Sequence, residues 1–307
     1  MLSDEKFYER AEKFALLKNV DEKYFTFDEY KNLIKANQEN KDGELIYLYT
    51  TDRDAQYSYI EQAKAKGYDV LLMDGQLDTH TIGQLEQKLE KTRFVRVDSD
   101  TVEKLIQKEE DSQVTLTAEQ REALIAIFDS QIPPIEKTNF VITFEQLSAN
   151  SNPIFVTQNE FMRRMKEMSA MQGGMMSFYG EMPDSYNLVV NTGHPIIEKL
   201  LNDEEKATAE TIAPIASQLA ETETKRNELK SAHKDKKAEE IPTAETAELE
   251  TLEAKITELT SAKKEVYKSY ADKNAQVGQL IDLALLANNM LKGEALAKFV
   301  KRSVELL

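Results

Sequence analysis

Two apolar stripes joined at a proline constrain this chain more than any other feature. Positions 212, 215, 219, 222, 226, 229 and 233 follow alternating steps of three and four, and carry Ile212, Ile215, Leu219, Thr222, Arg226, Leu229 and His233. After the break Glu239-Glu-Ile-Pro-Thr243 the pattern resumes as Leu249, Leu252, Ile256, Leu259, Lys263, Val266 and Tyr270. A seven-residue repeat spans two helical turns, so each stripe is one seam of a helix. Together the stripes predict an antiparallel, coiled-coil-like hairpin over 203–276, with Thr243 as N-cap of the return helix. About five apolar positions per seam make it modestly stable. No Phe, Tyr or Trp occurs from Asn187 to Val266.

Before the hairpin the pattern changes. Residues 1–42 read as helical. The run Glu5 to Leu17 places Phe7, Tyr8, Ala11, Phe14 and Ala15 at helical spacing, and Thr26-Phe-Asp-Glu29 is a capping box ahead of Tyr30, Leu33 and Ile34. Strands are predicted at 44–49, 69–74 and 93–98. A helix with Tyr57, Ile60 and Ala63 lies between the first two, and one over 81–90 between the last two. Strand–helix–strand–helix–strand is the pattern of a small parallel sheet. Residues 99–116 are charged and read as a linker with at most one helical turn. Thr117-Ala-Glu-Gln120 opens a helix that Pro133-Pro134 stops. Strands follow at 139–144, 152–157 and 186–191, and Pro195 starts another helix.

The last thirty residues are unusually apolar. Leu280, Ile281, Leu283, Leu286 and Met290 lie before Gly293, and Leu296, Phe299, Val300 and Val304 after it. Two such helices exceed what one core can bury, so a second copy completing a four-helix bundle is expected. The expected class is α+β overall. A small βαβαβ parallel-sheet unit spans 1–110, and 111–116 is a linker. An α+β dimerisation domain spans 117–307, with a three-stranded sheet, the long helical hairpin insertion and a C-terminal helical bundle.

Composition narrows function. Lys and Arg number 39 against 55 Asp and Glu, a net charge of −16 that argues against nucleic-acid binding. Cysteine is absent, which removes disulfides, thiolate metal sites and a Cys nucleophile. Only His80, His194 and His233 are available as imidazole ligands, so no metal is expected. No stretch is apolar enough for a membrane span, and the first residues lack signal-peptide character, so a soluble cytoplasmic protein is expected. Phosphate-loop, dinucleotide and nucleophile-elbow motifs are all missing from the sequence. Asp52 and Asp54 follow the first parallel strand, where open α/β sheets carry their sites. They read first as a solvated helix start. His194 beside Pro195 reads first as a capping residue, and His80 has no partner that sequence alone can place beside it.

Methionine is concentrated. Seven of ten fall between 162 and 182. A helix is predicted from the box Thr157-Gln-Asn-Glu160, with Phe161, Met165 and Met168 on one face, Met162 alongside and Met171 drifting round. Gly173-Gly174 ends it and leaves Met175, Met176, Phe178 and Tyr179 in a glycine-flanked segment. Methionine is unbranched and polarizable, so such a surface suits varied apolar partners. Ordinary core packing is the competing reading, and the residues alone leave both open.

These segments, in order, resemble a known family. Phe7-Tyr-Glu-Arg10, Lys23-Tyr-Phe-Thr-Phe-Asp-Glu-Tyr30, Ile46-Tyr-Leu-Tyr-Thr-Thr51, Gly67-Tyr-Asp-Val-Leu-Leu-Met73, Phe161-Met-Arg-Arg-Met165, Asn187-Leu-Val-Val-Asn191, Asp282-Leu-Ala-Leu-Leu-Ala287 and Phe299-Val-Lys-Arg302 carry the likeness. The chain is similar to the C-terminal half of bacterial Hsp90 chaperones of the high-temperature protein G type, over about 1–201 and 277–307. The resemblance implies the end of a middle domain followed by a homodimerisation domain. It implies a Met-rich element, Phe161 to Tyr179, that contacts non-native client proteins, and stress-response work alongside other chaperones. It also implies that the family's ATP-binding domain, and the arginine that reaches the γ-phosphate, fall outside these residues. ATP and Mg are therefore expected of the full-length family and no cofactor of this stretch, which is expected not to be an enzyme. Ser303-Val-Glu-Leu-Leu307 differs from the Met-Glu-Glu-Val-Asp tail of eukaryotic members. The hairpin interrupts the family pattern, and the resemblance gives it no role. Two other classes compete: a coiled-coil scaffold or adaptor built on the hairpin, and a small α/β enzyme using the ends of strands 44–49 and 69–74.

Overall fold

The structure is a computed structural model that describes residues 5–75, 77–108, 114–172, 182–234 and 242–305. It begins with α1 (Glu5–Ala11) and an antiparallel pair, β1 (Leu16–Lys18) and β2 (Tyr24–Thr26). The helix expected to reach Leu17 therefore stops at Ala11. Asn19 is the cause: its side-chain oxygen accepts from the amides of Asp21 and Lys23, which folds a turn and pairs Leu17 with Phe25. The box at Thr26 does open α2 (Phe27–Ile34), with both reciprocal hydrogen bonds formed.

β3 (Leu45–Thr50), α3 (Tyr57–Ala65), β4 (Val70–Leu72), α4 (Asp78–Lys88) and β5 (Thr92–Arg96) form the predicted βαβαβ unit. The sheet is parallel, in the order β4-β3-β5. Every residue of β3 is buried because helices cover both faces. Tyr47 and Tyr49 share a cluster with Ile82, Leu85 and Phe94, whereas Ile46 and Leu48 meet Tyr59, Ile60 and Ala63. So α4 lies on one face and α3 on the other. The charged segment after β5 makes one helical turn, α5 (Val102–Leu105), whose Val102, Leu105 and Ile106 join the α3 face.

α6 (Ala118–Gln131) starts at Thr117 with its capping box complete. It packs Ala123, Leu124, Ile127 and Phe128 on a second sheet through Ile154, Val156, Leu188 and Val190. That sheet runs β6 (Thr138–Glu145), β8 (Asp184–Asn191), β7 (Ile154–Gln158), with β6 parallel and β7 antiparallel to the central β8. α7 (Glu160–Gln172) follows β7.

α8 (Pro195–His233) is one continuous 39-residue helix with Pro214 inside it, and α9 (Thr243–Lys273) returns alongside. All fourteen predicted seam positions are buried or partly buried. The N-cap is Pro242, and Thr243 is the first helical residue rather than the cap. The hairpin's root is part of the domain core: Ile212, Tyr267, Tyr270 and Ala271 pack with α6 and the second sheet. Lys263, buried there, donates to Glu122 of α6 at 2.7 Å.

Glu204 of α8 is also buried, and accepts from the Thr208 hydroxyl at 2.6 Å. Burial raises its carboxyl above the ordinary 4.5, with Glu205 adding to the effect and Lys263 opposing it. A raised carboxyl stabilises the fold fully below the unfolded value and loses that contribution as pH rises through the folded one. Glu204→Gln is therefore expected to raise the thermal midpoint at pH 8, with the gap over wild type closing near pH 4. Midpoints recorded across that range check it.

Candidate functional site

The first turn of α7 is held by polar contacts rather than by the predicted capping box. Thr157 lies in β7, and Asn159 caps instead, its side chain accepting from the Met162 amide at 3.1 Å. Glu160 is thereby freed for another role. It accepts from Arg163 at 2.6 Å, from Arg164 at 2.7 Å and from the Tyr49 hydroxyl at 3.1 Å. Arg163 also donates to that hydroxyl at 2.6 Å. Arg164 reaches Glu86 of α4 at 2.7 Å and the Phe94 carbonyl of β5 at 2.6 Å. Glu86 in turn accepts from the Phe94 amide at 2.8 Å. α7 is thus joined to β3, α4 and β5 of the parallel-sheet unit. Beside it, Arg96 of β5 donates to Gln158 at 2.9 Å, and the Gln158 amide donates to the Asp98 carbonyl at 3.1 Å.

The charges reinforce one another. Burial would push the Glu160 carboxyl up, but the Arg163 and Arg164 guanidiniums outweigh it and hold it below its ordinary value. Burial would lower Arg164, yet Glu86 and Glu160 keep its proton more firmly than usual. The Tyr49 hydroxyl is pushed up by burial and further by Glu160, so it stays protonated and can donate.

Beyond this root the helix offers apolar side chains. Phe161 is 67% exposed, and Met162 and Met165 are partly buried. Met168 and Met171 fall on α7, with side chains outside the description. Met175, Met176, Phe178 and Tyr179 lie outside the described residues altogether. Two adjacent arginines after a glutamate gave the only signal of the network, and nothing in sequence placed Tyr49 or Glu86 opposite them.

The terminal helices, α10 (Ala275–Ala287) and α11 (Gly293–Glu305), divide the expected dimer residues in two. Leu280, Ile281 and Phe299 are buried in this chain's own core, and Met290 and Leu296 are partly buried against it. α10 touches α6, β7, α9 and α11, and its own chain covers most of its circumference. Leu283 and Leu286 on α10, and Val300 and Val304 on α11, remain exposed. Gln279 binds Ser303 at 2.9 Å and Arg302 at 2.8 Å, and Arg302 also pairs with Asp282. These contacts fix the two helices to each other.

The catalytic candidates resolve into structure. Asp52 accepts from the Asp54 and Ala55 amides and closes a turn. His194 is the N-cap of α8, its Nδ1 accepting from the Ile196 amide at 3.1 Å. The side chain of His80 is outside the description. At the C-terminal end of β3, the Gln56 side chain takes hydrogen bonds from the Thr50 hydroxyl and the Thr51 amide. Among the described residues no group of three His, Asp or Glu is placed to hold a metal ion, and no helix is long and apolar enough to cross a membrane.

Comparison with known proteins identifies the family. A family described as Hsp90 protein matches residues 6–277. A chaperone protein HtpG of Bacteroides thetaiotaomicron is 53% identical over all 307 residues, and one from Porphyromonas gingivalis is 48% identical over the same span. An endoplasmin homolog of Dictyostelium discoideum is 27% identical over 209 residues, 66% of this chain and 26% of that protein. The chain spans 45% of the length of the two HtpG relatives. The hairpin lies inside both the family match and the full-length alignments, so it does not interrupt what these relatives share. The chain belongs to the Hsp90 family of chaperones, and corresponds to the C-terminal half of its bacterial HtpG members.

Proposed function

We propose that this stretch joins two copies of the chaperone through α10 and α11 and presents α7 to non-native client proteins. The observation that carries the reading is the exposed set Leu283, Leu286, Val300 and Val304 on two helices already fixed to each other. Four branched apolar side chains on one helical pair favour a self-complementary two-fold contact. The proposed domain division places the α/β unit at 1–110 and the dimerisation domain at 117–307. The hydrolysis of ATP associated with the family falls outside both.

The client role rests on exposed Phe161 with Met162 and Met165 beside it, at the start of the Met-rich segment. Methionine adapts its shape, so contact is apolar without demanding one client sequence. Replacing Met165, Met168, Met175 and Met176 together by Ser is expected to weaken binding of reduced, carboxymethylated lactalbumin roughly tenfold while sedimentation still shows a dimer. Unchanged affinity would return those residues to core packing.

A further inference from the structure

The parallel sheet has the strand order in which the chain first steps to one side of its starting strand and then to the other. Its switch point lies between β3 and β5, with α3 and α4 on opposite faces. In open α/β sheets the crevice at such a point, at the C-terminal strand ends, is where ligands sit. Here residues of the same chain fill it. Tyr49 near the end of β3 meets Glu160 and Arg163, and Arg96 at the end of β5 meets Gln158. Arg164 closes the set against α4 and β5 through Glu86 and the Phe94 carbonyl.

We infer that Arg164, supported by Glu160, Arg163 and Tyr49, is a positioning residue for client contact. It seats the first turn of α7 in the switch-point crevice, and so makes client affinity depend on how the α/β unit stands against the second sheet. The inference rests on the client reading of α7 above. Three features favour an orienting role over simple adhesion. A planar guanidinium bridging Glu160, Glu86 and a main-chain carbonyl fixes direction as well as distance, which a lysine cannot do. The contacts gather in the first turn, directly before Met165, so a small change of angle at the root swings the apolar face. The contact set also joins α4, β3 and β5 to α7, which packing within one unit does not require.

The test uses the full chain and three measurements: affinity for carboxymethylated lactalbumin, deuterium exchange of 160–172, and the sedimentation constant of the dimer. Arg164→Met is expected to speed exchange in α7 and weaken client binding roughly tenfold, with dimerisation unmoved. Cysteines placed at 86 and 164, in a chain that has none of its own, give the converse. Joined by a short bismaleimide they are expected to restore affinity, and left unjoined they are not. Tyr49→Phe keeps the ring and removes only the hydroxyl, so it carries the same prediction at about threefold should Arg164→Met fold poorly. Faster exchange in α7 with client affinity unchanged, while the four-methionine variant loses it, would overturn the positioning role alone. Affinity unchanged in both variants would overturn the client reading together with it.

Discussion

Leu286→Asp is expected to convert a dimer into a monomer without unfolding the chain. Leu286 is partly exposed on α10, so an aspartate there stays hydrated in the single chain. In a two-fold contact the substitution occurs twice, and each carboxylate would be desolvated without a partner. A penalty of about 3 kcal/mol in total raises the dissociation constant more than a hundredfold. Val300→Asp, on the neighbouring helix, carries the same expectation. Leu280→Asp is the contrasting variant, because Leu280 belongs to the chain's own core and its replacement disturbs folding itself. Sedimentation and circular dichroism together separate these outcomes.

The second large effect lies at the hairpin root. Lys263 is buried with a side-chain exposure of 5% and is held by Glu122 at 2.7 Å. Glu122→Leu removes the counter-charge and leaves an ammonium without its hydrogen-bonded partner. The expected loss is about 3 kcal/mol, which for a chain of this size lowers the midpoint by roughly 5 °C. Adding Lys263→Leu is expected to recover most of it, since two apolar residues can fill the space of a buried pair. The single Lys263→Leu variant should be milder, because Glu122 keeps contact with water. A midpoint that does not change in Glu122→Leu would mean that the pair contributes nothing to anchoring α9 on α6.

Much of this molecule was legible from period and punctuation. The hairpin seam was, because a seven-residue repeat is a local property that survives any tertiary context. The three parallel strands were too, because buried strands read as short apolar runs between helices. The start of the chain was not. Phe14 and Leu17 sit at helical spacing, but one Asn19 side chain with a turn of its own outweighs that weak preference. The box at Thr157 failed for a related reason: the same residue can cap a helix or end a strand, and pairing with Asn187 in β8 decided it. The packing of the terminal helices was half legible. Sequence shows that α10 is apolar on nearly every side, but not which side its own core covers. The network around Arg164 was least visible, since Tyr49 and Glu86 stand 115 and 78 positions away from it. Only the topology brings them together.

Sedimentation equilibrium of the wild-type chain at micromolar concentration tests the central claim most directly. The expected result is a species of about 70 kDa, twice the 35.0 kDa chain, that Leu286→Asp reduces to the single-chain mass. A wild-type chain that sediments as 35.0 kDa across that range would contradict the account.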